Sequence, residues 1–183
     1  MKTIRVLALA LSLLLPGLGE LWAARGPSTP KERARALRLV RELETDPFGD
    51  KSTDSRRWLA LWLLDVTDLR VRYCAEVLGG TAAEQRKVRP ELLAQIPWSG
   101  AAYLIENPGK AGGVRGEAVQ GQMVQEKSKA EVYLAGVEGA LRAYEAMIGS
   151  RPDLRAPLLD DLLAKRDAGE LAAYVAETSN ACP

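Results

Sequence analysis

This 183-residue chain predicts an all-α fold, a helical bundle or orthogonal array of about six to eight helices. Three observations carry that prediction. Apolar residues recur at spacings of three and four, and no stretch sustains the period-two alternation of β-branched residues that a half-buried strand needs. Helix-start chemistry stands at Thr29, Pro30 and Glu32, and helix-stop glycines or prolines follow most of the periodic runs. No clear repeat of the tetratricopeptide kind divides the chain.

The first 24 residues stand outside the fold. Lys2 and Arg5 precede an apolar run from Val6 to Leu15, and Pro16 and several small residues follow. That is the layout of a secretory signal peptide. About ten apolar residues are too few to span a bilayer, which takes about 20. Gly19, Ala23 and Ala24 all suit the last position removed, and a retained anchor is the alternative. Residues 25–183 are then one all-α domain, periplasmic or secreted, and not integral to the membrane after processing.

The elements follow in order. In STPKERARALRLVRELETDP, Thr29 is the N-cap, Pro30 the first helical residue and Glu32 the partner in a capping box; Leu37, Val40 and Leu43 or Glu44 set the period, and Asp46–Pro47 ends it. SRRWLALWLLD places Trp58 and Trp62 four apart on one face. DLRVRYCAEVLGG reads as a helix with Leu69, Tyr73 and Val77 in phase and Gly79 beyond its end. A shorter helical turn runs from Thr81 towards Val88. PELLAQIPWSGAAYLIENPGK is helical, interrupted at Pro97, and stops at Asn107–Pro108–Gly109. KAGGVRGEAVQGQ reads as a connector. Gly149 and Pro152 precede two short final helices divided near Gly169.

The most patterned helix is EVYLAGVEGALRAYEAMI, Glu131 to Ile148. At 100° per residue, Tyr133, Val137, Ala140, Leu141, Tyr144 and Ile148 share an arc of roughly 100°. Glu131, Glu138 and Glu145, with Arg142, fill a narrow charged stripe. Val132, Ala135, Gly136, Gly139, Ala143 and Ala146 fill the rest. Glycine weakens a helix by about 1 kcal/mol, so its presence here predicts a neighbouring helix in close contact. Room for an apolar ligand is the alternative.

Charge is balanced, with 25 Lys and Arg against 24 Asp and Glu. Losing Lys2, Arg5 and Glu20 leaves the remainder neutral, which lacks the basic footprint of a nucleic-acid binder. Two cysteines, Cys74 and Cys182, predict one disulfide in an exported chain. A loop of roughly 100 residues would gain about 4–5 kcal/mol from such closure in the chain-entropy account.

There is no histidine. That removes Ser–His–Asp and Cys–His catalysis and histidine-bearing metal sites. No Walker-type loop occurs, GGVRG lacks a strand–helix setting, and DPFGDKSTD does not follow the calcium-loop pattern. No cofactor or metal site is therefore expected. Carboxylate acid–base chemistry is the enzymatic route left open. Its candidates are Asp65, just past the tryptophan face, and Glu106, beside Tyr103. Trp58, Trp62 and Trp98 are candidates for a ligand or partner contact, although a chain with one Phe must also draw on them for its core.

The region Ala130–Cys182, with VYLAGVEGAL, a proline-broken helical tail and a final cysteine, resembles periplasmic immunity proteins that neutralise type VI secretion amidase toxins. Those proteins tend to be shorter and to carry further cysteines, and the segment around Trp58 has no counterpart in them. The resemblance carries no functional residue across; it implies a protein partner in the cell envelope. More broadly, the chain looks like small helical proteins exported by GC-rich bacteria. The expected function is binding, without enzymatic chemistry. The alternatives are a small apolar-ligand or glycan binder with a tryptophan-lined pocket, and a carboxylate hydrolase of cell-wall glycans.

Overall fold

A computed structural model describes residues 26–108 and 122–182, with side chains in the second part from Lys129 onward. The expected export segment and most of the expected connector, residues 110–121, lie outside the described residues. The rest is all-α, with seven α-helices, three 3-10 turns and no strand among the described residues. Within that part, no helix is long and apolar enough to cross a membrane.

Helix α1 spans Pro30–Thr45 and opens on the expected capping box. Thr29 Oγ1 accepts from the Glu32 amide at 3.2 Å, and Glu32 Oε2 accepts from the Thr29 amide at 2.9 Å. Its buried stripe is Ala36, Leu39, Val40, Leu43 and Glu44. Helix α2, Ser52–Asp65, carries Trp58 and Trp62 stacked with ring centroids 5.5 Å apart.

The expected helix across Leu69, Tyr73 and Val77 is corrected. Residues 66–74 are irregular, and only Ala75–Leu78 form a 3-10 turn. Tertiary ties override the period. Asp68 is clasped by the Ser28 amide at 2.7 Å, the Ser28 hydroxyl at 2.8 Å and Arg33 Nη2 at 2.6 Å. Val71 sits against Gly100, and Cys74 is bonded to Cys182. Leu69 and Val77 are buried, yet Tyr73 is half exposed, so the three do not share one face. Gly79 and Gly80 follow with φ of 64° and 68°. A side chain at Gly79 would overlap the Tyr174 hydroxyl.

Helix α3, Ala82–Gln85, is the short expected turn, capped by Thr81 and Glu84. Helix α4, Pro90–Glu106, runs through Pro97 without a break, which corrects the expected interruption. Proline removes one backbone donor and costs about 3 kcal/mol in an isolated helix. Here nine residues of α4 are buried, Ile96, Trp98 and Ser99 among them, and that burial holds the helix across the defect.

Helix α5, Gln122–Ser150, is 29 residues, so about 43 Å long. It packs most extensively against α4. The small-residue face is explained there. A methyl group at Gly136 would sit 2.6 Å from the Ile96 carbonyl oxygen, and one at Gly139 would overlap the Ser99 side chain. The bulky face, Tyr133, Val137, Leu141 and Tyr144, is buried on the side facing the C-terminal elements. Helices α6, Pro157–Asp167, and α7, Leu171–Thr178, turn at Gly169, whose φ is 76°.

Two apolar clusters result. One joins α4 and α5 to Val77, Leu78, Leu159, Leu162, Leu171 and Val175. The other joins α1, α2 and the latter half of α4 around Leu59, Trp62 and Trp98. Helix α4 contributes to both, through Leu92 and Ile96 on one side and Trp98 and Leu104 on the other. The Cys74–Cys182 disulfide is present, with Cα atoms 5.8 Å apart and both cysteines buried. It fastens the tail beside the 3-10 turn, where Lys129 also donates to the Cys182 carbonyl.

Candidate functional site

The apolar stripe of α1 is interrupted by Glu44, whose side chain is only 3 % exposed. A buried carboxylate is costly unless donors surround it, and donors from three helices do. Ser99 Oγ on α4 donates to Oε1 at 2.7 Å. Arg142 on α5 donates from Nε to Oε2 at 3.0 Å and from Nη2 to Oε1 at 3.1 Å. Arg41, one turn earlier on α1, reaches both oxygens at 3.0–3.1 Å. Gln95, also buried, donates from Nε2 to Ser99 Oγ at 3.0 Å. Gly139 is what allows this: a methyl group there would stand 2.7 Å from Glu44 Oε1.

Arg41 continues outward. Its Nη2 grips Glu106 at the end of α4, at 2.9 and 3.0 Å. Above this lattice lies an open cleft of about 560 Å³, lined by Arg41, Glu44, Thr45, Ser99, Tyr103, Glu106, Ala135, Glu138 and Arg142. The charged stripe of α5 forms one wall. Tyr103 donates from its hydroxyl to Glu131 at 3.0 Å, closing the rim. Among the described residues, Glu138 lines the cleft without a hydrogen bond or ion pair.

The electrostatics follow from the donors. Burial pushes the Glu44 carboxyl up, but hydrogen bonds from Arg142 and Ser99, the Arg142 charge and the Arg41 hydrogen bond outweigh it and hold Glu44 below the ordinary glutamate range. Burial likewise disfavours the Arg41 charge, and Glu44 and Glu106 reverse that, so its pKa is raised. Glu44 is therefore an ionised acceptor with both oxygens engaged. A general acid needs the opposite shift, as does the proton donor of a glycan hydrolase.

The sequence-predicted residues fall in different places. Glu106 and Tyr103 line the cleft. Trp62 and Trp98 are buried in the cluster beside α1 and α2, and Trp58 packs half-buried against it, with Arg35 Cζ 4.3 Å from its ring centroid. None of the three lines the cleft, and neither does Asp65, exposed at the end of α2. Cys74, Glu76 and Cys182 bring metal-type ligand atoms within 4.8 Å of one another, but the two sulfurs are bonded to each other and offer no thiolate. Sequence reasoning missed Glu44, Arg41, Ser99 and Arg142 as a unit. The available signal was an acid in phase with the apolar stripe of α1 and a charged stripe on α5. No family model, curated protein or solved structure matches this chain.

Proposed function

We propose that the protein is an exported helical binding protein that docks a protein partner in the cell envelope and performs no chemistry of its own. The observation that carries this reading is the state of its one deeply buried cleft acid among the described residues. Glu44 is saturated by Ser99, Arg41 and Arg142 and held ionised, so it builds a rigid charged floor where a proton donor would need a raised pKa. The two arginines above it are each about two-fifths exposed but are held by that carboxylate, so they stand as fixed walls of the cleft. The export-like first 24 residues and the disulfide support a location outside the cytoplasm. The test is retention of a defined protein from a cell-envelope extract by the immobilised protein, with release by Glu106→Arg at the cleft rim. Hydrolysis of purified cell-wall glycan at a rate abolished by Glu44→Gln would overturn it.

A further inference from the structure

Three features stand out beyond the core: the exposed leucines of α2, Leu61 and Leu64; the buried Trp62 Nε1 without a partner; and the cleft over Glu44. Nothing in the structure shows what covers the leucines, and the indole nitrogen sits within the apolar cluster away from the cleft lining. The cleft carries further.

Its charges are unevenly committed. Arg41 and Arg142 are both pinned to Glu44, and Arg41 also to Glu106, so neither cation is free to swing across the cleft. Glu138 faces the same space with no such engagement. Counted over the described lining, two guanidiniums meet three carboxylates, an excess of one negative charge. The uncommitted carboxylate stands one helical turn from Arg142 on a rigid helix. The tyrosine at the rim and the methyl of Ala135 supply an apolar wall suited to a methylene stem. The volume, about 560 Å³, accepts a long side chain.

We infer that this cleft between α1, α4 and α5 is a receptor for an ammonium or guanidinium group on a flexible stem, with Glu138 as its counter-charge and Glu106 and Tyr103 at its mouth. The inference rests on the binding-protein reading and names what the partner presents: a lysine or arginine side chain. The same chemistry has a second source in free polyamines.

Calorimetric titration of the purified protein separates these. The probes are an uncharged-end lysine-containing peptide, its glutamate counterpart and spermidine. Saturable binding of the lysine peptide is expected, weakened about tenfold or more by Glu138→Gln, the loss of one charged hydrogen bond. It should be unchanged by Glu177→Gln, an exposed position on α7. Binding of spermidine alone would overturn the protein source and assign the cleft to a small polyamine. Equal binding of the glutamate peptide, indifference to Glu138→Gln, or no saturation by any probe would overturn the cation receptor. A parallel retention assay keeps the two readings apart. A partner held equally by wild type and Glu138→Gln sinks the cation receptor and leaves the binding protein standing. Tight lysine-peptide binding with no envelope protein retained does the reverse.

Discussion

Glu44 occupies a position that an apolar residue fills on most helices, and the surrounding residues are arranged around that exception. Removing it leaves the Arg142 guanidinium and the Ser99 hydroxyl without their acceptor and Arg41 with Glu106 alone. Because both arginines can turn towards water, Glu44→Ala is expected to destabilise by about 3 kcal/mol, the lower end for breaking a buried pair, read from thermal or denaturant melts. Glu44, Asp68 and Glu145 all have carboxyls held below their ordinary values. Each binds protons less readily folded than unfolded. Their stabilisation is thus complete above the unfolded carboxylate range and is lost as pH falls through the lowered folded values. Acid unfolding curves should show stability falling as pH drops through the acid range, with a shallower fall in Glu44→Gln. A stability maximum in the acid range would contradict this. Gly139 belongs to the same cluster. Alanine there gains about 1 kcal/mol of helix propensity but collides with Ser99 and crowds Glu44, and overpacking costs about 1–3 kcal/mol. Gly139→Ala should therefore lower the melting temperature, whereas Gly149→Ala, with nothing within 4 Å of the added carbon, should not.

The helices themselves were mostly legible from local chemistry. The capping box at Thr29 and the positive-φ glycines at 79 and 169 mark real element ends, and the turn read from Thr81 is a short helix with its own capping box. The wheel of α5 separates a bulky buried face from Gly136 and Gly139, which lie against α4, but Ala135 of the small-residue face lines the open cleft and Ala143 joins the bulky cluster. Two elements were misread for the same physical reason: packing outweighed propensity. Residues 66–74 have a helix-like period but are drawn out by the Ser28–Asp68–Arg33 clasp and by Cys74. Pro97 looked like a break but is carried by burial on both sides of α4. The cleft was half legible. Glu106 and Tyr103 were singled out, but Glu44 reads as a member of an apolar stripe, and its three donors come from residues 55 to 98 positions away as well as from its own helix. Long-range partnership of that kind leaves no periodic trace.

Taken as one object, the molecule joins its N-terminal and C-terminal halves through α4 and α5, and its tail through the disulfide. The bridge closes a separation of 108 residues, so its loss should cost about 4–5 kcal/mol by the chain-entropy account and less where the unfolded chain retains structure. Cys74→Ser with Cys182→Ser is expected to shift the denaturant midpoint downward without changing the cleft's ligand affinity, since neither cysteine touches it. A midpoint unchanged on reduction would contradict that. The fold thus places its strongest ties at the centre and at the tail, and its uncommitted charge in the open cleft between α1, α4 and α5. Carbon-13 NMR titration of the Glu44 carboxyl tests this account most directly. The expected result is a carboxylate ionised throughout the neutral range, titrating below an ordinary glutamate. A Glu44 still protonated near neutral pH would be a poised catalytic acid, and would contradict it.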